Sequence, residues 1–147
     1  MTKFILCTLM GIMLAFTTQA QVQKLQNGKI LHLHPKDEQD WNYAQVYRSG
    51  NMLYLSGTVG KGTMDQAMER VYQTIAITLK QYDLDLTHIV KENLYTTDIE
   101  ATKKSQPIRK KYYGNHTPAA TWVQIARLFD EDTVLEIEVI AEIKKTE

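Results

Sequence analysis

Apolar residues recur along this chain with two different periods. From residue 64 to 82, Met64, Met68, Val71, Ile75, Leu79 and Tyr82 fall three or four positions apart and make one stripe of a helix. Thr63 and Gln66 stand where a capping box needs them, and Asp65 suits the positive end of the helix dipole. Elsewhere the period is two. Residues 29–34 alternate and are ended by Pro35. Residues 43–48 and 52–56 flank Ser49-Gly50-Asn51 and predict a hairpin, ended by Gly57 and by Gly60-Lys61-Gly62. Residues 90–97, 119–128 and 134–144 predict three more strands, the last two joined through Asp130-Glu131-Asp132. Residues 21–28 read as a polar tether and residues 36–40 as a charged loop. After Asp98 the pattern turns polar, and Ser105 as cap with Pro107 in the first turn predicts a second helix stopped at Gly114. The order β-β-β-α-β-α-β-β implies an α+β fold, a mixed sheet with two helices on one face.

The other face of that sheet also needs cover. In residues 134–144 the odd positions Leu135, Ile137, Val139, Ala141 and Ile143 are all apolar and predict the core face. The even set, Val134, Glu136, Glu138, Ile140 and Glu142, is mixed, and so is the even set Ala120, Trp122, Gln124 and Ala126 of residues 119–128. A lone chain would leave Trp122, Val134 and Ile140 in water, so the pattern predicts association through that face.

The first 20 residues have the layout of a secretory signal. A basic start at Lys3 precedes the mostly apolar run 4–16, and Thr17-Thr18-Gln19-Ala20 supplies small residues before a cut after Ala20. The run is shorter than the roughly 20 apolar residues of a membrane span. The expectation is therefore a segment 1–20 that is removed, a single domain over 21–147, no membrane span in the mature chain, and a periplasmic or extracellular location. Cys7, the only cysteine, leaves with the signal, so the mature chain has no disulfide and no thiol chemistry. Lys3 is also the one charged residue of that segment, and its loss leaves the mature chain with one negative charge in excess. That balance does not support a nucleic-acid partner. The basic group Lys103, Lys104, Arg109, Lys110 and Lys111 reads as a solvated helix face.

Several short stretches occur together: Tyr43-Ala44-Gln45, Leu55-Ser56-Gly57, Ile89-Val90-Lys91-Glu92, the strand that begins Pro118-Ala119-Ala120-Thr121-Trp122, and Leu135-Glu136-Ile137-Glu138. Jointly they resemble the reactive-intermediate deaminase family, also called RidA, YjgF or L-PSP proteins, over about residues 43–144. The resemblance implies a chorismate-mutase-like fold and a homotrimer with a central β-barrel, whose ligand clefts lie between subunits. It implies a small-molecule ligand bound by Tyr43, Ser56, Gly57, Thr58, Gln106, Ala120 and Trp122, with Glu136 catalytic as the water-positioning carboxylate, and no cofactor or metal.

At one position the chain departs from the family. The residue two after the proline is usually arginine, which grips a substrate carboxylate through two parallel hydrogen bonds. Here it is Ala120, with Trp122 at a frequent cysteine position. Arg127 is seven residues further along the same strand and points to the other face; Lys61 and Arg48 are cations from other segments that have to be considered. The signal layout and the resemblance together imply an exported protein that binds a small imine or enamine metabolite, with its hydrolysis through Glu136 left open, while Ala120 removes the expectation of ordinary 2-imino acid deamination. Two alternatives stay open: a non-catalytic ligand-binding trimer, and an endoribonuclease-like RNA-cleaving protein. His32 and His34 share a strand face but are two ligands only, too few for a metal site, and the histidines are read as surface residues.

Overall fold

The computed structural model describes residues 23–25, by their backbone, and 28–143. The expected signal segment and Lys144 lie outside the described residues. The elements are β1 (Gln23–Leu25), β2 (Ile30–His32), α1 (Pro35–Asp40), β3 (Val46–Ser49), β4 (Met52–Lys61), α2 (Met64–Lys80), β5 (Ile89–Thr96), α3 (Ile99–Lys104), α4 (Gln106–Tyr113), β6 (Ala119–Gln124) and β7 (Thr133–Glu142). The strands form one sheet in the order β1-β2-β3-β4-β7-β5-β6. Only the β5–β6 pair is parallel, which makes the sheet mixed.

Helix α2 forms as its pattern requires. Thr63 accepts from the Gln66 amide while the Gln66 side chain accepts from the Thr63 amide, closing the capping box. Its stripe buries Met68, Val71, Ile75 and Leu79 against Leu53 and Leu55 of β4 and against Leu135, Ile137 and Val139 of β7. Gly60 permits this approach. A Cβ there would lie 2.7 Å from the Ala67 carbonyl oxygen and 2.8 Å from the Ala67 Cα. Helix α4 carries Pro107 in its first turn after Ser105 and stops at Gly114, whose φ of 56° favours glycine.

Several expectations are corrected. Residues 36–40 are helical, because Pro35 suits the first turn and Glu38 reaches back to the amides that open the helix. A strand, β1, lies within the expected tether and pairs with β2. The strand β4 does not end at Gly57 but passes through a bulge to Lys61. Asp98 caps a further short helix, α3, by accepting from the Ala101 amide. Strand β6 ends at Gln124, four residues early, as the chain turns toward the acidic loop.

The largest correction concerns the faces. Strand β6 pairs in parallel register with β5, Ala120 opposite Glu92 and Trp122 opposite Leu94. Since Glu92 and Leu94 face the helices, so do Ala120 and Trp122. Trp122 is therefore half-buried under α4 instead of lying on the uncovered face. That face carries Tyr47, Tyr54, Val59, Tyr95, Glu136, Glu138 and Ile140, aligned across β3, β4, β7 and β5. Val134 and Ile140 are partly exposed, as the alternation predicts.

Candidate functional site

Glu136 sits on the uncovered face, opposite Val59 of β4 and Tyr95 of β5. The β4 bulge sets its place. Two residues, Ser56 and Gly57, are accommodated between the pairs Leu55–Val139 and Thr58–Ile137, and the Glu136 side chain lies over Gly57. A Cβ at Gly57 would stand 1.8 Å from Glu136 Oε1, so only glycine leaves room for the carboxyl group. Glu136 accepts no hydrogen bond from the described residues, whereas its neighbour Glu138 accepts from Asn93 Nδ2 at 2.7 Å and from Tyr95 Oη at 3.1 Å. Burial, and then the charge of Glu138, raise the Glu136 pKa above the ordinary glutamate value. A desolvated carboxylate with free lone pairs and a raised pKa is suited to hold and deprotonate a water.

Tyr43 follows α1 and stands 44 % exposed over a depression of about 390 Å³, lined also by Ile30, His32, Glu38, Asn42 and Tyr47. Burial first, then the negative charges of Glu38 and Asp37, raise its hydroxyl pKa. Glu38 is fully buried and anchors this corner: it accepts from His32 Nδ1 at 2.6 Å and from the amides of Leu33 at 2.8 Å, His34 at 2.6 Å and Gln45 at 2.9 Å. His32 is thus a buried partner of Glu38, not a surface residue. Ser56 donates its hydroxyl to the Ala44 carbonyl at 2.6 Å, so toward a ligand it can only accept. Thr58 is buried on the helix side, 3.5 Å from Gln45 Nε2, and is not available to a ligand.

The second group lies across the sheet, under α4. Glu92 is fully buried and accepts four hydrogen bonds: from Tyr72 Oη at 2.9 Å, Tyr113 Oη at 2.7 Å, Arg109 Nε at 3.0 Å and Trp122 Nε1 at 3.0 Å. Burial first, and then the Glu92 charge, drive the Tyr72 and Tyr113 pKa values upward, so both remain donors. The Arg109 guanidinium lies between two rings, its Cζ 4.5 Å from the Tyr113 centroid and 5.1 Å from that of Trp122. Ala120, exposed, is the strand partner of Glu92. Gln106 opens α4, and its buried Oε1 has no hydrogen-bond partner among the described residues.

The sequence reading missed Glu38, Glu92 and Arg109. The signal for Glu92 was its inward parity with Leu94 on an alternating strand. The signal for Arg109 was its spacing, three after Gln106 and four before Tyr113, on one helix face; the lysines around it masked this. The two cations named from sequence are engaged elsewhere: Lys61 pairs with Asp130 at 2.9 Å and Asp132 at 2.8 Å, and Arg48 Nε donates to the Gly50 carbonyl at 3.0 Å.

The expected site residues therefore fall into two groups. Glu136 and Gly57 lie on the uncovered face, with Ser56 next to Gly57 in β4 and Tyr43 just ahead of β3, while Ala120, Trp122 and Gln106 lie on the helix side near the β6 edge. The sheet separates Glu136 from Trp122, so one chain does not bring them together.

Comparison with known proteins agrees with this architecture. The family described as Endoribonuclease L-PSP matches residues 36–143. A RutC family protein of Saccharolobus solfataricus is 31 % identical over 110 residues, covering 68 % of this chain and 86 % of that protein. Reactive Intermediate Deaminase A, chloroplastic, of Arabidopsis thaliana is 27 % identical over 108 residues, 67 % of this chain and 57 % of that protein. A crystal structure of a YjgF family member from Mycobacterium tuberculosis superposes with a TM-score of 0.68 at 24 % identity, covering 74 % of this chain and 92 % of the other, a likeness of fold. With the matched segment running from the second residue of α1 through β7, the chain belongs to the RidA/YjgF/L-PSP family.

Proposed function

We propose that the protein is an exported hydrolase of small imines or enamines, acting at clefts between the subunits of a homotrimer. The observation that carries the reading is Glu136, half-buried over Gly57, free of hydrogen bonds from the described residues, with its pKa raised by burial and by Glu138. In this reading a water held by Glu136 adds to the C=N carbon and gives up a proton to the carboxylate. The nitrogen takes a proton, the tetrahedral carbinolamine collapses, and a carbonyl compound and ammonia leave. A C–O bond forms, the C–N bond breaks, and no electrons are transferred. The name of the Arabidopsis relative, a reactive intermediate deaminase, supports this chemistry.

The separation of the two residue groups supports association between copies, and the family resemblance makes three the proposed number. A cleft holding both is complete only where the helix-side edge of one copy meets the uncovered face of another. Cover for Tyr47, Tyr54 and Val59, each between 45 and 49 % exposed, follows from the same contact. RNA cleavage is less well supported, because Lys111 pairs with Glu69 and Arg109 is turned onto Glu92, which breaks up the basic face of α4.

The test is ammonia release from imines generated in situ, followed by a coupled keto-acid assay with protein beginning at Gln21. Wild type should exceed the buffer rate, and Glu136→Gln should lose about two to four decades of that excess, the usual contribution of a general base. Equal rates for wild type, Glu136→Gln and buffer would refute hydrolysis and leave a binding protein. Light scattering of the same sample should give the mass of three protomers. Mass spectrometry of protein recovered outside the cytoplasm should show Gln21 first; an intact Met1 would refute removal of the signal.

A further inference from the structure

We infer that Arg109 is the anion-binding group of the cleft, so that helix α4, not strand position 120, supplies the guanidinium that selects carboxylate-bearing imines. The substrate class rests on the hydrolase reading above; the binding itself does not.

Glu92 is saturated with donors. Its Oε1 accepts from Arg109 and Trp122, and its Oε2 from Tyr72 and Tyr113. A carboxylate offers about four lone-pair positions, so these four donors fill it. Arg109 engages it through Nε alone. Its two terminal amino groups donate to no acceptor among the described residues, and Glu92 has nothing further to offer them. An arginine that only neutralised Glu92 would present its fork to both oxygens. Here the carboxylate holds the guanidinium by one nitrogen, the Tyr113 and Trp122 rings fix its plane, and the outer edge of the fork is left unengaged.

The surroundings provide space. The Arg109 side chain keeps 13 % of its surface exposed. Ala120, the strand partner of Glu92, ends at Cβ, so no larger side chain fills the row beside the ion pair. A carboxylate accepting from the free edge of the Arg109 fork is the ligand group this geometry fits. Position 120 is small in this chain, and the cation arrives from the helix above it.

The experiment titrates pyruvate, and as a neutral control pyruvamide, into nitrogen-15-labelled protein beginning at Gln21, with the arginine Nε–H signals followed by NMR. Pyruvate should shift the Arg109 signal saturably, and pyruvamide should not. Arg109→Lys keeps a positive charge opposite Glu92 but loses the planar fork, and should weaken pyruvate binding about ten- to a hundred-fold. Ala120→Leu leaves the ion pair intact and fills the row, and should weaken binding as much; it serves as the second readout should Arg109→Lys melt early. Pyruvate affinity unchanged in folded Arg109→Lys or in Ala120→Leu, or no pyruvate-dependent shift of Arg109 in wild type, would overturn the inference. Binding with these dependences but no imine turnover would sustain it and sink the hydrolase reading. Turnover of neutral and carboxylate imines alike, indifferent to Arg109→Lys, would do the reverse.

Discussion

Replacing Glu92 with glutamine and, separately, with leucine divides charge from hydrogen bonding at the centre of the buried network. Leucine leaves all four donors without their acceptor. Tyr72 and Tyr113 are 0 and 3 % exposed, so no water reaches their hydroxyls, and each stranded donor costs about 1–3 kcal/mol. Arg109 loses its counter-ion. Breaking a buried pair from one side costs about 3–5 kcal/mol, less here because the guanidinium keeps some contact with solvent. Together these losses approach the roughly 5–15 kcal/mol that holds a typical domain folded, so Glu92→Leu should be largely unfolded at 25 °C. Glutamine behaves differently. Its carbonyl can face Arg109 and Trp122, which only donate, while its amino group faces two tyrosine hydroxyls that can rotate to accept. The hydrogen bonds largely survive and the charge does not, so Glu92→Gln should cost about 2–4 kcal/mol, the loss of charge assistance on its bonds. The assay is urea unfolding followed by circular dichroism at one fixed protomer concentration, since the proposed subunit assembly would couple stability to concentration. Losses below about 1 kcal/mol for both variants would show that the four-donor geometry does not hold α2, α4 and β6 together, and the reasoning would fall.

Gly57→Ala places a Cβ within 1.8 Å of Glu136 Oε1. The carboxyl group must swing away; the fold should lose about 1–3 kcal/mol in melting experiments, while imine hydrolysis falls about a hundred-fold from the displaced base. Full activity in Gly57→Ala would remove Glu136 from the mechanism. The raised Glu136 pKa has a definite sign: the folded chain holds this proton more tightly than the unfolded one, so the contribution to stability is full below the unfolded value near 4.5 and is lost as pH rises through the folded value. Denaturation across that window should therefore show wild type losing stability relative to Glu136→Gln as pH rises, and the acid limb of hydrolysis should lie above the ordinary glutamate range; a relative gain with rising pH would contradict the burial argument.

Elements with strong local signals were legible from the chain alone. The stripe from Met64 to Tyr82 and its capping box specify α2 without reference to any other segment, because the period and the cap are both local. The alternation Leu135, Ile137, Val139, Ala141 specifies the inward face of β7 for the same reason. Glu136 and Gly57 are expected site residues through the resemblance, and the structure adds a physical link between them, a carboxyl lying in the space a side chain would take. Weak signals failed. Six residues of α1 carry no apolar stripe, and what holds them is Glu38, whose partners come from β2, its own first turn and Gln45.

Trp122 shows where local reasoning ends. Alternation tells which residues of β6 share a face but not which face meets the helices, because a short mixed strand reads equally well either way up. The parallel pairing with β5, set by how the chain returns through α4, made that choice and turned Trp122 and Ala120 inward. Arg109 was hidden for the same reason. Among lysines it has the composition of a solvated helix face, and only the arrival of a buried carboxylate from β5 and two rings from α4 and β6 turned it into a fixed cation. The sequence by itself determined the elements with a period and a cap, the mixed sheet and the family. The tertiary structure alone decided which side of the sheet each group of expected site residues occupies and where the guanidinium stands, because these depend on strand pairing and on contacts between residues as distant in the chain as Glu92 and Trp122 or Gly57 and Glu136, which no local pattern encodes.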